Sequence, residues 1–246
     1  FPFSYFCEKF TVAKSTLSED VQTVRNGLAA YDLGIIETVA GASGGVRFIP
    51  YHSPESDNEF LWTLAKKLND PSRLLPGGMI YMNDLLFSPQ ISARLGEIIM
   101  QRTLELRPDY IMTVEAKGIS LALSTARAFN IPMVMARKEA RITEGTPVSI
   151  SYVSGSSKNI QTMSLPRKAL PAKARVLVVD DFMRAGGTAR GMQELAEEVG
   201  AEVVGTYLFI ASRMPEKKIV TDYASLMTLR GVDDATKAID IVPELL

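Results

Sequence analysis

From residue 110 onward the chain repeats one plan, and that repetition limits its fold more than any other feature. YIMTV (110–114) is a short apolar run, followed by the turn EAKG and by the amphipathic helix pattern ISLALSTARAF. IPMVMA (131–136) reads as the next strand. RVLVV (175–179) then leads through DDFMRAGGT into a helix that turns Met192, Leu195 and Val199 inward, stops at Gly200 and is followed by the strand VVGTYLFI. Buried strands alternating with helices imply a parallel sheet covered on both faces. Ligands of such sheets bind beyond the carboxyl ends of the strands. The turns 115–118 and 180–188 both lie there, so they can converge on one ligand.

The second turn carries chemistry in its order. Asp180 and Asp181 end a buried strand, where neighbouring carboxylates can accept hydrogen bonds from two vicinal hydroxyls such as those of ribose. Phe182, Met183 and Arg184 follow, and Ala185, Gly186, Gly187 and Thr188 lead into the helix. Glycines let backbone N–H groups approach an oxyanion, the helix end adds partial positive charge, and Thr188 adds a hydroxyl donor. Hydroxyls on one side and a phosphate on the other describe a ribose 5-phosphate. A Gly-Gly-Thr triplet alone is only a tight turn after a solvated strand end. Strand, acid pair, glycines and helix in this order favour the phosphate site. Arg137 and Lys138, at the end of the intervening strand, either face the same pocket or end in solvent.

Little else in the composition offers chemistry. The 246 residues include one histidine, His52, and one cysteine, Cys7. Neither a zinc cluster nor a Ser-His-Asp triad has enough to draw on, and no internal disulfide can form. The single cysteine fits a reducing cytoplasm. No apolar run nears the roughly 18 residues of a membrane span. A net charge of -1 confines any nucleic-acid surface to a local patch.

The first fifty residues read differently. FSYFCEK (3–9) is a short helix pattern, and Thr11 opens a longer one across VAKSTLSEDVQTVRNGL, with Leu17, Val21 and Val24 inward and Gly34 as its stop. Ile35–Val39 and Val46–Ile49 form a hairpin pattern around a small-residue loop. Helix, turn, helix, hairpin is the order of a winged helix-turn-helix, whose second helix enters the major groove of DNA. Lys14, Ser15 and Thr16 sit near the N-terminus of that helix, where bases and phosphates are met, and Arg25 and Arg47 complete the candidate DNA contacts. Only Lys9, Lys14, Arg25 and Arg47 are basic here, against five acids, so the segment also reads as a dimerisation appendage without DNA contact. The chain opens FPFSYF, without Met and already in apolar pattern, so residues are expected upstream. YHSPESDNE (51–59) reads as a polar linker. A helix with Phe60, Leu61, Leu64 and Leu68 on one face follows, with Trp62 packed and Pro71 as the stop.

VLVVDDFMRAGGT (176–188) resembles the phosphoribosyl pyrophosphate (PRPP) motif of type I phosphoribosyltransferases. In that family the acid pair holds the ribose hydroxyls and the turn holds the 5-phosphate. Glu115, Ala116, Lys117 and Gly118 sit where the family has its pyrophosphate loop, with Lys117 neutralising charge and Gly118 admitting the backbone. The family's enzymes usually carry small or hydroxyl residues after the acid pair, whereas Phe182, Met183 and Arg184 stand here; the bulky Phe182 and Met183 argue for binding without turnover, while Arg184 strengthens phosphate binding.

Preceded by a winged helix, the motif is similar to the bacterial purine operon repressors (PurR type). STLSEDVQTVR, GASGGVRFIP, LPGGMIYMNDLL, MTVEAKGI, RKEARITEG and VSISYVSGSSKNIQTMSL resemble that family's blocks, from Phe1 to about residue 232. The resemblance implies an α/β chain: a winged-helix DNA-binding domain over 1–52, with one more helix before residue 1, and a PRPP-binding phosphoribosyltransferase-like domain over 53–246. It implies a regulator of purine biosynthesis genes that binds double-stranded DNA as a homodimer in the cytoplasm, with PRPP as effector, with or without Mg, and no catalytic residue. Residues 180–188 and 115–118 would hold PRPP, with Tyr81 and Lys138 as further contributors, and SYVSGSSKNIQTMSL (151–165) matches the family's flexible loop. Two other readings stay open. One is an active purine phosphoribosyltransferase, whose chemistry leaves no His or Cys to look for. The other is a PRPP-controlled protein–protein module.

Overall fold

A computed structural model of the protein describes residues 1–39, 41, 44–138, 145–153 and 159–245. The chain divides into two units, Phe1–Asp57 and Asn58–Leu246.

In the first unit α1 (Phe3–Phe10) and α2 (Lys14–Ala30) precede an antiparallel hairpin of β1 (Ile35–Val39) and β2 (Gly45–Ile49), with Ile35 opposite Ile49. This is the winged-helix order. The second helix starts at Lys14, later than its apolar pattern, because Thr11 takes a left-handed φ of 55° at the end of α1 and Ala13 is extended. Leu17 is buried and Val21 half-buried, but Val24, expected to face inward, is 51% exposed. Arg25 takes the inward place instead. Its Nε donates to Ile36 O at 3.1 Å and one Nη to Thr38 Oγ1 at 2.8 Å, so its stem lies over β1.

The polar stretch 51–59 is not an open linker. Ser53 N donates to both carboxylate oxygens of Asp32, at 2.7 and 2.8 Å, and Pro54 begins α3 (Pro54–Leu68). Ser53 Oγ accepts from Ser56 N at 3.3 Å as a helix cap, while proline at the first helical position has no N–H to leave unpaired. The division between the units therefore falls inside a helix, a few residues beyond the expected 52/53 break.

The second unit opens with the inner face of α3, where Leu61, Leu64 and Leu68 are buried; Trp62, expected to pack, is 51% exposed. A short hairpin of β3 (Leu74–Leu75) and β4 (Met79–Ile80), α4 (Asn83–Leu86) and α5 (Pro89–Thr103) follow. Then come β5 (Tyr110–Val114), α6 (Ile119–Phe129), β6 (Met133–Ala136), β7 (Pro147–Val153), β8 (Ile160–Pro166) and β9 (Arg175–Met183). The chain ends with α7 (Gly187–Glu198), β10 (Glu202–Ser212), β11 (Ala224–Asp233) and β12 (Ala238–Pro243). The six-stranded sheet has the order β12-β11-β10-β9-β5-β6, parallel except for β12.

Alternation along the strands covers both faces. Ile111, Leu177 and Val179 join a core with α3 to α6, while Met112, Val114, Val176 and Val178 pack under α7 and the β7–β8 hairpin. Segment 151–165, matched to a flexible loop, thus consists largely of hairpin arms whose Tyr152, Met163 and Leu165 are in the core. Its tip, 154–158, lies outside the described residues. Asn69, just after α3, bonds twice to Ile241 of β12: Nδ2 donates to the carbonyl at 2.9 Å and Oδ1 accepts from the N–H at 2.8 Å.

Candidate functional site

After β5 the chain moves to one side of the sheet, to β6; after β9 it moves to the other, to β10 and β11. The carboxyl ends of β5 and β9 therefore flank the topological switch point, where the crevice of an open α/β sheet forms. The turns 115–118 and 180–188 meet at this point.

The strand β9 runs past the acid pair to Met183, further than its apolar run suggested, because Asp180, Phe182 and Met183 pair with Leu208, Ile210 and Ala211 of β10. The Asp180 carboxylate is buried and its Oδ1 accepts from Asp181 N at 2.9 Å. Phe182 packs toward the α3–α6 core, while Met183 packs with Leu208, Ala211 and Val220. At Gly186 φ is +92°, a left-handed value, and an added Cβ would stand 3.1 Å from Val220 N. The helix α7 starts at the next residue with no side-chain cap, so its first-turn N–H groups are donors without an intrahelical acceptor.

On the facing turn the Glu115–Ala116 peptide is cis. The Glu115 carboxylate accepts from Lys138 N at 2.9 Å and pairs with Arg137 at 3.3 Å, which ties the turn to the end of β6. Gly118 lies directly against the acid pair. A Cβ there would be 2.6 Å from both Asp180 Oδ1 and Thr113 Oγ1.

Burial pushes the Asp180 carboxyl well above its ordinary value, and the neighbouring Asp181 charge adds to the rise; Lys138 opposes it. Burial also raises Asp181, against its hydrogen bond with Asp180 and the charge of Lys117. Two carboxyl groups in one desolvated site hold a proton more tightly than either would alone. Hydroxyl donors and nearby cations favour the ionised form, so the pair is suited to a ligand that brings both.

A cavity of about 600 Å³ opens over these residues. Lys117 and all of the residues from Asp180 to Thr188 line it. Glu115, Ala116, Gly118 and Lys138 lie outside its wall, although Gly118 stands close against Asp180 and the charge of Lys138 is felt there. Tyr81 is also outside the wall and 45% exposed. Several wall residues escaped the sequence reading: Gly77 and Gly78 between β3 and β4, Met214, and Arg230 and Asp234 around the β11 end. Only the Pro-Gly-Gly run at 76–78 carried a signal, that of a turn.

In the first unit Lys14, Ser15 and Thr16 are all exposed on the first turn of α2. Arg47 pairs with Glu37 across the hairpin at 2.8 Å, with both side chains open to solvent. Arg25 is held within the unit as described.

Comparison with known proteins follows the same division. Residues 1–50 match the family described as bacterial purine repressor, N-terminal, and residues 83–241 match the phosphoribosyl transferase domain. The purine biosynthesis transcriptional repressor PurR of Bacillus subtilis is 40% identical over 240 residues, 98% of this chain and 84% of that protein. The xanthine phosphoribosyltransferase of Lactobacillus delbrueckii subsp. bulgaricus is 34% identical over 146 residues, 58% of this chain and 77% of that enzyme. The adenine phosphoribosyltransferase structure from Rhodothermus marinus superposes with a TM-score of 0.58 over 70% of this chain and 99% of that one; at 22% identity it speaks for the fold alone. With a repressor-type N-terminal domain, a type I phosphoribosyltransferase-like sheet and similarity to PurR along nearly the whole chain, the chain belongs to the bacterial purine repressor family.

Proposed function

We propose that this protein is a transcription regulator of purine biosynthesis genes that binds double-stranded DNA through its first unit and PRPP, as effector, through the cavity of its second. The observation that carries the reading is the meeting, in one cavity, of a buried acid pair with a glycine turn at an uncapped helix N-terminus. Asp180 and Asp181 accept from the ribose hydroxyls. The N–H groups of the 184–188 turn and the Thr188 hydroxyl hold the 5-phosphate. Lys117 meets the pyrophosphate. Mg, when it accompanies PRPP, would add positive charge beside the pyrophosphate, the role Lys117 fills from the protein side. A volume of about 600 Å³ suits a small phosphorylated sugar. Residues 1–52 act as the reader of DNA, with Lys14, Ser15 and Thr16 nearest the groove, and residues 53–246 act as the sensor.

The regulator works as a homodimer in the cytoplasm, its two-fold axis matching two half-sites. Among the described residues no helix is long and apolar enough to cross a membrane. If PRPP weakens DNA binding by some factor, DNA weakens PRPP binding by the same factor. The site binds without turnover, a reading supported by the apolar Phe182, Met183 and Met214 in the cavity wall. The second reading, an active purine phosphoribosyltransferase, is supported by the similarity to a xanthine phosphoribosyltransferase. A gel shift of a purine-gene control region, run with and without PRPP, tests the first reading. A complex that PRPP titrates is expected, and one indifferent to PRPP overturns it. Incubation of PRPP with each purine base tests the second, since steady nucleotide formation makes the protein an enzyme.

A further inference from the structure

Between β10 and β11 the segment 213–219 runs exposed over the surface, and Lys218 is its one half-buried side chain. The ammonium of Lys218 donates to the carbonyl of Arg184 at 2.5 Å and to that of Ser212 at 2.6 Å. Beside it, Ile219 N donates to the carbonyl of Ala185 at 2.8 Å, and Val220 N lies against Gly186. One strap is thus hydrogen-bonded to Arg184 and Ala185 of the glycine turn and packed closely against Gly186. Among the described residues neither Lys218 nor Arg184 is ion-paired with a carboxylate.

The geometry of a planar trans peptide gives this stitching a consequence. The carbonyl of one residue and the N–H of the next share a plane and point in opposite directions. Fixing Arg184 O on Lys218 therefore turns the Ala185 N–H away from the strap, and fixing Ala185 O on Ile219 N does the same for the Gly186 N–H. Gly186 O is taken by Arg190 N at 2.9 Å in the first turn of α7. All three carbonyls are held back, so no carbonyl competes for the place where a phosphate oxygen would sit.

We infer that Lys218 is a positioning residue for the phosphate turn, aiming the Ala185 and Gly186 N–H donors and adding one positive charge behind them. The inference rests on the reading of this turn as a phosphate cradle. Burial, and then the charge of Arg184, lowers the pKa of Lys218, a strain that a bound dianion beside both cations relieves.

The test is calorimetric titration of the full chain with ribose 5-phosphate, which reports the turn, and with inorganic pyrophosphate, which reports the Lys117 end. Lys218→Met should weaken ribose 5-phosphate by about tenfold or more, the usual loss for a hydrogen bond to a charged group. Pyrophosphate affinity should stay within about twofold, and Lys218→Arg should recover part of the loss. Should Lys218→Met fail to fold, Lys218→Gln, which keeps a neutral N–H donor, enters the same comparison. Equal weakening of both ligands, or unaltered ribose 5-phosphate binding, overturns the inference. A wild-type protein that binds neither ribose 5-phosphate nor PRPP overturns the cradle itself, and with it this role of Lys218.

Discussion

Gly118 offers the sharpest test of how the two turns meet. The Cβ of an alanine would stand 2.6 Å from Asp180 Oδ1, 2.6 Å from Thr113 Oγ1 and 3.3 Å from Asp180 Cα. The two oxygens are then roughly 0.7 Å inside ordinary carbon–oxygen contact. Neither can retreat easily. Thr113 and Asp180 are both buried, and β5 and β9 are paired at Met112 and Val178, so the strands cannot part without breaking the sheet. Overpacking of this kind costs about 1–3 kcal/mol of stability. Rotation of the Asp180 carboxylate relieves part of the crowding but loses one charge-assisted hydrogen bond to the ribose, about 1.5–3 kcal/mol of binding. Gly118→Ala should therefore bind PRPP about 10- to 100-fold more weakly in a calorimetric titration. Its denaturant midpoint should fall at the same time. A variant that binds PRPP like the wild type and unfolds at the same midpoint would refute the close approach of Gly118 to the acid pair.

The acid pair also sets a pH dependence. Burial raises the folded Asp180 pKa above its unfolded value, so the ionised carboxylate costs stability above the folded pKa; that cost shrinks as the pH falls from the folded toward the unfolded pKa and is gone below the latter. Asp180→Asn, neutral throughout, should be more stable than wild type at neutral pH, with the difference shrinking on acidification; denaturant midpoints along a pH series read this, and a widening gap would contradict the sign. On the DNA side, Lys14→Ala should weaken operator binding and reduce the slope of log affinity against log salt by about one unit, as for one lost phosphate contact. Gel shifts across a salt series measure it, and an unchanged slope moves the DNA surface elsewhere.

The turn at 180–188 was legible because its signal is local. An apolar run fixes the buried strand, the acids and glycines follow in order, and the helix pattern starts at once. The same holds for the hairpin at 35–49. What sequence could not supply was the far side of the cavity. Met214 and Arg230 arrive there from segments whose own patterns describe only a loop and a strand end, and they become walls through the pairing of β10 with β11. Val24 misled for a related reason. Its helical spacing is right, but Arg25 finds one backbone and one side-chain acceptor on β1 and takes the inward position beside it. The polar stretch at 51–59 misled because polarity marks solvent exposure rather than loop structure, and Ser53-Pro54 is a helix start.

Among the described residues β12 is the last strand of the sheet, and the outward-facing backbone of Ile241 is claimed by the side chain of Asn69. A primary amide has the same donor and acceptor spacing as a peptide group, so this asparagine behaves as a one-residue strand that can accept no successor. The sheet is thereby closed off in mid-rung by a single side chain, and a row of backbone groups that would invite stacking by neighbouring molecules is interrupted at its centre.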